Sequence, residues 1–369
     1  MPEAGEGVGT AQTSNGRIEA LRALLPTCGI DALVVSSPQN VRYMSGFSGS
    51  SASLVISGSR ALLITDSRYA EQASTESPEY EVRVVGGAPA IAAAAEIPEG
   101  AAGFESGSVS VATWESMKRR AGDRPGRRLV PVGGLVERLR LAKTEEEIAL
   151  IGEAASIASR AFESLRPLIR PGVLERDLAL ELEFRMKLAG AEAVAFDLIV
   201  ASGPRSALPH GRASGKAVGA GEFVVFDIGA RYRGYHSDMT RTLFLGRPDR
   251  TARRIYDTVL RAQAAGMAAV RPGATGGEVD AAARGPIEAE GYGERFGHGT
   301  GHGVGLEVHE APRIGTGTND VLGGGMVITV EPGVYIPGYG GVRIEDLLVV
   351  EESGCRVLTS PSKSDWILE

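Results

Sequence analysis

The feature that most constrains this chain is a diverged repeat in its back half. Arg170-Pro171-Gly172, which follows one helical stretch, returns as Arg271-Pro272-Gly273 after another, 101 positions later. Gly221-Glu-Phe-Val-Val-Phe-Asp227-Ile-Gly229 returns as Gly325-Met-Val-Ile-Thr-Val-Glu331-Pro-Gly333 at an offset of 104. Gly234-Tyr-His-Ser-Asp238 is answered by Gly341-Val-Arg-Ile-Glu345 at 107. A slow drift of this kind is what small loop insertions produce between two copies of one supersecondary unit. The repeat predicts two α-plus-hairpin halves related by a pseudo-twofold, each donating a pair of acids.

The pairs are Asp227 with Asp238 and Glu331 with Glu345. Residues opposed on one face of an antiparallel hairpin lie about 5 Å apart, so two hairpins meeting at the pseudo-axis bring four carboxylates together. Each acid alone reads more readily as a turn or cap residue of an exposed hairpin; the doubled arrangement, with the histidine segment between the hairpins, favours convergence. Four buried carboxylates without cations repel and neutralise. Two divalent ions balance their charge.

Histidine use points to the same place. The chain has five histidines, His210, His236, His298, His302 and His309, and none precedes residue 210. Three fall in the run Phe296-Gly-His298-Gly-Thr-Gly-His302-Gly-Val-Gly-Leu-Glu-Val-His309. Its alternating glycines belong to a marked surplus, 50 in 369 residues with no G-X-Y period. Glycine here lets backbone bend closely around an ion or substrate while imidazoles point inward. A carboxylate-rich set with one or two imidazoles suits Mn²⁺ or Co²⁺ better than a thiolate-rich structural zinc site.

The front of the chain reads differently. Short apolar runs at 32–35, 53–56, 61–64, 82–85 and 129–132 alternate with helix-like stretches such as 18–25 and 110–120, the pattern of a small α/β domain. Thr144 followed by Glu147 is a capping box that opens a long amphipathic helix. The expected organisation is a disordered tail over 1–16, an α/β domain over 17–140 and a catalytic domain over 141–369.

Other totals exclude function classes. The two distant cysteines, Cys28 and Cys355, make neither a disulfide framework nor a C-x-x-C site. No signal peptide and no membrane-length apolar run is visible, so a cytoplasmic protein is expected. A net charge of −7 without a Lys/Arg block argues against nucleic acid as a partner.

The back half resembles the pita-bread metallopeptidases, which include aminopeptidase P, prolidase, methionine aminopeptidase and the metal-free creatinase. The resemblance is carried, in the family's order, by Ser202-Gly-Pro-Arg-Ser-Ala-Leu-Pro-His210-Gly, Phe226-Asp227-Ile-Gly229, Ser237-Asp238-Met-Thr-Arg-Thr242, Gly301-His302-Gly-Val-Gly305, Val308-His309-Glu310, Val330-Glu331-Pro-Gly333 and Gly341-Val-Arg343-Ile-Glu345-Asp346. The front domain is similar to the creatinase-type N-terminal domain of the proline-specific members. The resemblance implies a creatinase-like α/β domain followed by a pita-bread domain, and a metal-dependent exopeptidase acting on Xaa-Pro bonds in short proline-containing peptides.

It further implies that Asp227, Asp238, His302, Glu331 and Glu345 hold two divalent ions, Mn²⁺ first, with Co²⁺ or Zn²⁺ as alternatives. Asp238 and Glu345 would bridge them, and a shared hydroxide would attack the scissile carbonyl. Glu331 would shuttle the proton, and His210 and His309 would bind substrate and steady the tetrahedral intermediate. Arg343 and Thr240 are expected behind the ligand carboxylates and His298 beside the site, whereas His236, Tyr335 and Tyr339 read as packing or loop residues. A homodimer is expected by analogy. Methionine aminopeptidase, a creatinase-like hydrolase and a non-catalytic binding module are the alternative readings; the intact ligand positions and the front domain weigh against them.

Overall fold

The structure is a computed structural model that describes residues 14–122 and 126–369. The chain divides into two compact units, the first ending at Arg140 and the second running Leu141–Glu369. Positions 1–13 of the expected tail lie outside the described residues, but Ser14, Asn15 and Gly16 already belong to a helix, Ser14–Leu24. Ile18 and Leu21 are buried one turn later and draw the chain into helix earlier than composition suggested.

In the first unit every apolar run singled out in sequence is a strand. The six-stranded mixed sheet has the order Glu81–Val84, Ala61–Thr65, Ala52–Ser57, Ala32–Val35, Gly100–Glu105, Arg127–Val132. The central strand Ala32–Val35 is buried on both faces, as its unbroken apolar run requires. Gly100–Glu105 joins the sheet although its sequence, GAAGFE, carries little strand propensity; it pairs in parallel with both neighbours. Glu105 at its end accepts hydrogen bonds from the Ser36 and Ser37 amides and from Asn40. It thereby ties the end of this strand to the residues that lead into the helix Pro38–Ser45.

The second unit is built twice. In the first half, helices Glu145–Leu165 and Glu175–Leu188 precede the antiparallel strands Ile199–Ser202, Phe223–Ile228 and Met239–Leu245. In the second, helices Arg250–Ala269 and Gly276–Ala289 precede Gly301–Gly303, Glu310–Ile314, Val327–Val330 and Asp346–Glu351. Thr144 accepts from the Glu147 amide while the Glu147 carboxylate accepts from the Thr144 amide, the capping box read in sequence. Two pairs of equivalent glycines share one backbone conformation: φ is +92° at Gly172 and +84° at Gly273, +78° at Gly221 and +77° at Gly325. Only glycine enters that region freely, which explains why these positions survive in both copies while their neighbours diverge.

The hairpins differ from the simple form expected. Between Asp227 and Asp238 the chain leaves its sheet to form a separate small hairpin, Ala230–Tyr232 with Tyr235–His236, turned at Arg233 and Gly234 with positive φ. Between Glu331 and Glu345 it does so again, with Gly333–Ile336 pairing Gly340–Arg343. Asp238, Glu331 and Glu345 therefore sit just outside the long strands, at the points where backbone leaves or re-enters a sheet, and only Asp227 lies within one.

The C-terminal segment closes the first half's sheet. Ile367–Leu368 pairs in parallel with the end of Met239–Leu245. Trp366 stacks on Tyr256 with ring centroids 4.0 Å apart and packs edge-on to Phe244.

Candidate metal centre

The two halves bring Asp227, Asp238, His302, Glu331 and Glu345 to one buried cluster. Single ligand atoms of Asp238, His302 and Glu345 lie within 4.8 Å of one another. His302 Nε2 is 3.6 Å from Asp238 Oδ2 and 3.5 Å from Glu331 Oε1, too long for hydrogen bonds and short enough for a shared ligand between them. Its Nδ1 lies 3.0 Å from the Gly303 carbonyl, which holds the proton on that nitrogen and turns Nε2, unprotonated, toward the acids.

The electrostatics are those of a site short of positive charge. Burial, followed by the charges of Glu345, Asp227 and Glu331, pushes the Asp238 carboxyl well above the usual carboxylate range. Burial, then Glu331 and Asp227, does the same to Glu345. Burial raises Glu331 to about 7, with Arg343 pulling against the rise. Burial also lowers His302 and His309, so both imidazoles stay neutral. Asp227 Oδ1, Asp238 Oδ1 and Glu345 Oε1 are buried acceptors with no hydrogen-bond partner. Orphaned carboxylate oxygens on three neighbouring acids are costly unless a cation takes them. The donor set, four carboxylates and one neutral imidazole, fits two divalent ions.

A hydrogen-bonded chain stands behind the acids. Arg343 donates to Asp227 Oδ2 at 2.6 Å and to the Thr240 hydroxyl at 3.0 Å, and that hydroxyl donates to Glu345 Oε2 at 2.7 Å. The guanidinium thus orients acids from both halves, which leaves Asp227 Oδ1 and Glu345 Oε1 turned to the centre. Arg343, the last residue of the strand Gly340–Arg343, faces Asp227.

The same guanidinium reaches Tyr335, whose hydroxyl accepts from Arg343 at 2.9 Å and lies 2.8 Å from His298 Nε2. With His298 Nδ1 2.7 Å from the Gly299 carbonyl, the phenol donates to Nε2. Burial, with Arg343 nearby, lowers His298 to about 4, and burial raises Tyr335 to about 12, so both are neutral partners in this chain. Tyr335, read as packing in sequence, is therefore joined to the site. Its place in the strand Gly333–Ile336 gave no signal beyond proximity to Glu331.

The remaining sequence candidates divide. His309 is exposed, with its ring 4.3 Å from that of His302. His210 is exposed too, and it lies close enough to Glu331, His298 and His309 to lower all three. His236 is tied to backbone, its Nδ1 3.3 Å from the Gly305 carbonyl. Tyr339 bonds to Asp249.

The glycine-rich run is ordered from outside. Asp280 on the helix Gly276–Ala289 accepts from Thr300, Thr316 and Arg284, and Arg284 also donates to the Phe296 and His298 carbonyls. Gly301 and Gly303 serve close backbone approach: a Cβ there would collide with the Thr329 and Ala311 carbonyls respectively. Their lack of a side chain lets neighbouring strands of their own sheet pack tightly, which corrects the expectation that they make room for a ligand.

Comparison with known proteins agrees with this architecture. Residues 149–352 match the metallopeptidase family M24, and residues 17–142 match the creatinase/prolidase N-terminal domain. An uncharacterized peptidase of Bacillus subtilis is 47% identical over 95% of this chain and 100% of its own length. Among solved structures, an Xaa-Pro dipeptidase from Bacillus anthracis superposes with a TM-score of 0.93 at 44% identity, covering 96% of this chain and 100% of its own. An X-Pro aminopeptidase from Thermotoga maritima gives a TM-score of 0.85 at 40% identity, over 92% and 98%. With its duplicated catalytic unit, creatinase-type front unit and acid cluster, the chain belongs to metallopeptidase family M24.

Proposed function

We propose that this protein is a metal-dependent exopeptidase that hydrolyses the Xaa-Pro bond at the N-terminus of peptides or in Xaa-Pro dipeptides. The observation that carries the reading is the buried cluster of Asp227, Asp238, His302, Glu331 and Glu345 with its three orphaned oxygens. Its family membership and its similarity to an Xaa-Pro dipeptidase and an X-Pro aminopeptidase support the substrate class.

In this reading residues 17–140 form the front domain and 141–369 the catalytic one. The five cluster residues, Asp227, Asp238, His302, Glu331 and Glu345, would hold two divalent ions, Mn²⁺ in preference to Co²⁺ or Zn²⁺. Such ions supply Lewis acidity, bringing the pKa of water toward about 7 and polarising a carbonyl. The Glu331 carboxyl takes the proton of the attacking water and delivers it to the departing proline nitrogen. His210 and His309, exposed imidazoles beside the cluster, donate to the substrate carbonyl as negative charge develops on its oxygen. Arg343 and Thr240 keep the Asp227 and Glu345 carboxylates aimed at the centre, and Tyr335 with His298 fixes the other side of Arg343.

Among the described residues no helix is long and apolar enough to cross a membrane. We place the enzyme in the cytoplasm, as a homodimer. The deciding experiment is an assay of protein stripped of metal and reloaded with Mn²⁺, Co²⁺ or Zn²⁺, on Xaa-Pro dipeptides and Xaa-Pro-Yaa tripeptides. Metal-dependent cleavage is expected, and the ratio of rates on the two lengths separates dipeptidase from aminopeptidase. No cleavage of either with any ion sinks the reading.

A further inference from the structure

Each half of the second unit carries an exposed imidazole on the segment that follows its first strand. In the first half His210 lies between the strands Ile199–Ser202 and Phe223–Ile228; in the second His309 lies between Gly301–Gly303 and Val327–Val330. An exposed ring has little packing of its own, so its place is set by the backbone that carries it. One buried acid holds that backbone in the first half.

Glu175, the first residue of the helix Glu175–Leu188, is 0% exposed. Its Oε1 accepts from the Ser202 amide and hydroxyl, both at 2.8 Å. Its Oε2 accepts from the Ser214 hydroxyl at 2.6 Å, and from the Ser214 amide and Arg205 Nε at 3.1 Å. Ser202 ends the strand before the loop and Ser214 stands at the loop's far end, so one carboxylate ties together the two feet of the segment that bears His210. Arg205 closes the span from inside, donating also to the Arg212 carbonyl at 2.6 Å. At the tip, the Pro209 carbonyl beside His210 accepts from Arg343 at 3.2 Å. Burial by itself raises the Glu175 carboxyl, but hydrogen bonds from Ser214 and Ser202 and the Arg205 charge hold it below its ordinary value, so the acceptor is ionised.

The second half reaches the same arrangement from another position. Asp280, 2% exposed, accepts from Thr300 at 2.7 Å and Thr316 at 2.9 Å, hydroxyls that bracket the segment bearing His302 and His309, and from Arg284. The two acids are not copies of each other. At the offset of 101 that aligns the helix starts, Gly276 stands where Glu175 does and Asp280 where Ala179 does. A clamp of one acid, two hydroxyls and one arginine, built from different positions in two diverged copies, answers a demand of the segments it holds and not the common origin of the helices.

We infer that Glu175 is a positioning residue for the reaction: it clamps the loop 203–214 at both ends and so fixes the His210 imidazole beside the metal centre. The inference rests on the peptidase reading for what His210 does, and on the loop geometry alone for what Glu175 does.

Glu175→Gln keeps the shape but sets a donating amide against donors. In the metal-loaded protein, kcat on Xaa-Pro peptides falls about a hundredfold while KM and metal content stay within about twofold, because the displaced imidazole serves the transition state and holds no ion. The double variant with His210→Ala is no slower than His210→Ala alone, since the clamp acts through that ring; a merely structural role gives losses that multiply. Ser214→Ala, which removes one contact and leaves the others, shows the same pattern in weaker form should Glu175→Gln not fold. Hydrogen exchange needs no substrate: residues 203–214 exchange about tenfold faster in either variant, and the strand Phe223–Ile228 is unchanged. Multiplying losses in the double variant, a loss of metal that matches the loss of activity, or a loop as protected as in the wild type overturns the inference. A wild type that cleaves no Xaa-Pro peptide sinks the peptidase reading instead, and exchange in the loop still decides the clamp.

Discussion

Glu345 and Asp346 are consecutive, both 1% exposed, and their surroundings are opposite. Glu345 faces other acids, and burial drives its carboxyl well above the usual range. Asp346 faces the other way, into Arg241, Lys363, Gln263 and Thr359, and despite its burial Arg241 and Lys363 hold it down at about 2. Alternation along the strand that opens at Asp346 sends the two side chains to different sides of the backbone. One acid belongs to a cluster of four carboxylates with a single guanidinium, Arg343, and the other to a cluster in which Arg241 and Lys363 match it. Burial alone does not distinguish a binding group from a structural one; whether its oxygens are matched does.

The two clusters are nevertheless joined. Arg241, 2% exposed, donates to the Thr240 and Glu345 carbonyls as well as to Asp346 and to the Pro361 carbonyl. The neutralised cluster thereby holds the backbone of the unneutralised one and ties it to the C-terminal segment, where Lys363 lies.

Substitution separates the two. Glu345→Gln keeps shape and the Thr240 hydrogen bond but removes a proposed ligand charge. Activity on Xaa-Pro substrates falls by about two to three orders of magnitude, and elemental analysis finds less than the wild-type metal content. The metal-free variant melts no lower than metal-free wild type, because a repelling charge has gone. A clear loss of stability without loss of metal would place Glu345 among the structural acids.

The neighbouring change has the reverse profile. Asp346→Asn strands the Arg241 guanidinium in the interior and costs about 3–5 kcal/mol, read as a lower urea midpoint whether or not metal is present. Metal affinity changes less than in Glu345→Gln. If the variant keeps wild-type stability, the contrast between the clusters fails.

Much of this was legible in the chain. The offsets of 101, 104 and 107 locate both acid pairs, because the two copies keep acids where strands end and keep glycine at 172 and 273 and at 221 and 325, where φ is positive. The Asp346 cluster was not legible. Its partners Gln263, Thr359 and Lys363 come from a helix and an irregular C-terminal segment, and only tertiary packing assembles them. Tyr335 was missed for a related reason: a tyrosine on a two-stranded ribbon carries no mark of which side its hydroxyl faces. The inserted ribbons escaped notice because strands of two to four residues with glycine turns leave too short a period to read.

The clusters also answer differently to pH. Glu331, raised to about 7 by burial, binds a proton in the folded metal-free protein that the unfolded chain releases near 4.3. Asp238 and Glu345 are raised as well. Over that range these three acids hold more protons in the folded state than in the unfolded one, so their contribution falls as pH rises. The buried histidines His236, His298, His302 and His309, lowered by burial, oppose this below about 6.5, where the unfolded chain protonates them, and no longer do so above it. Asp346 works in the other direction, its folded value of about 2 lying below the unfolded one near 3.9, so its contribution is lost only as pH drops below about 4. Metal-free protein should therefore melt several degrees higher near pH 6.5 than near pH 8, at about 2–4 °C per kcal/mol for a domain this size. Calorimetry in chelator measures it. Saturating metal raises the melting temperature most at the alkaline end, where the ions bind without displacing protons. A metal-free melting temperature that is flat or rises from pH 6.5 to 8 would show that the acids are already matched by groups of the chain itself, and the difference between Glu345 and Asp346 would lose its electrostatic basis.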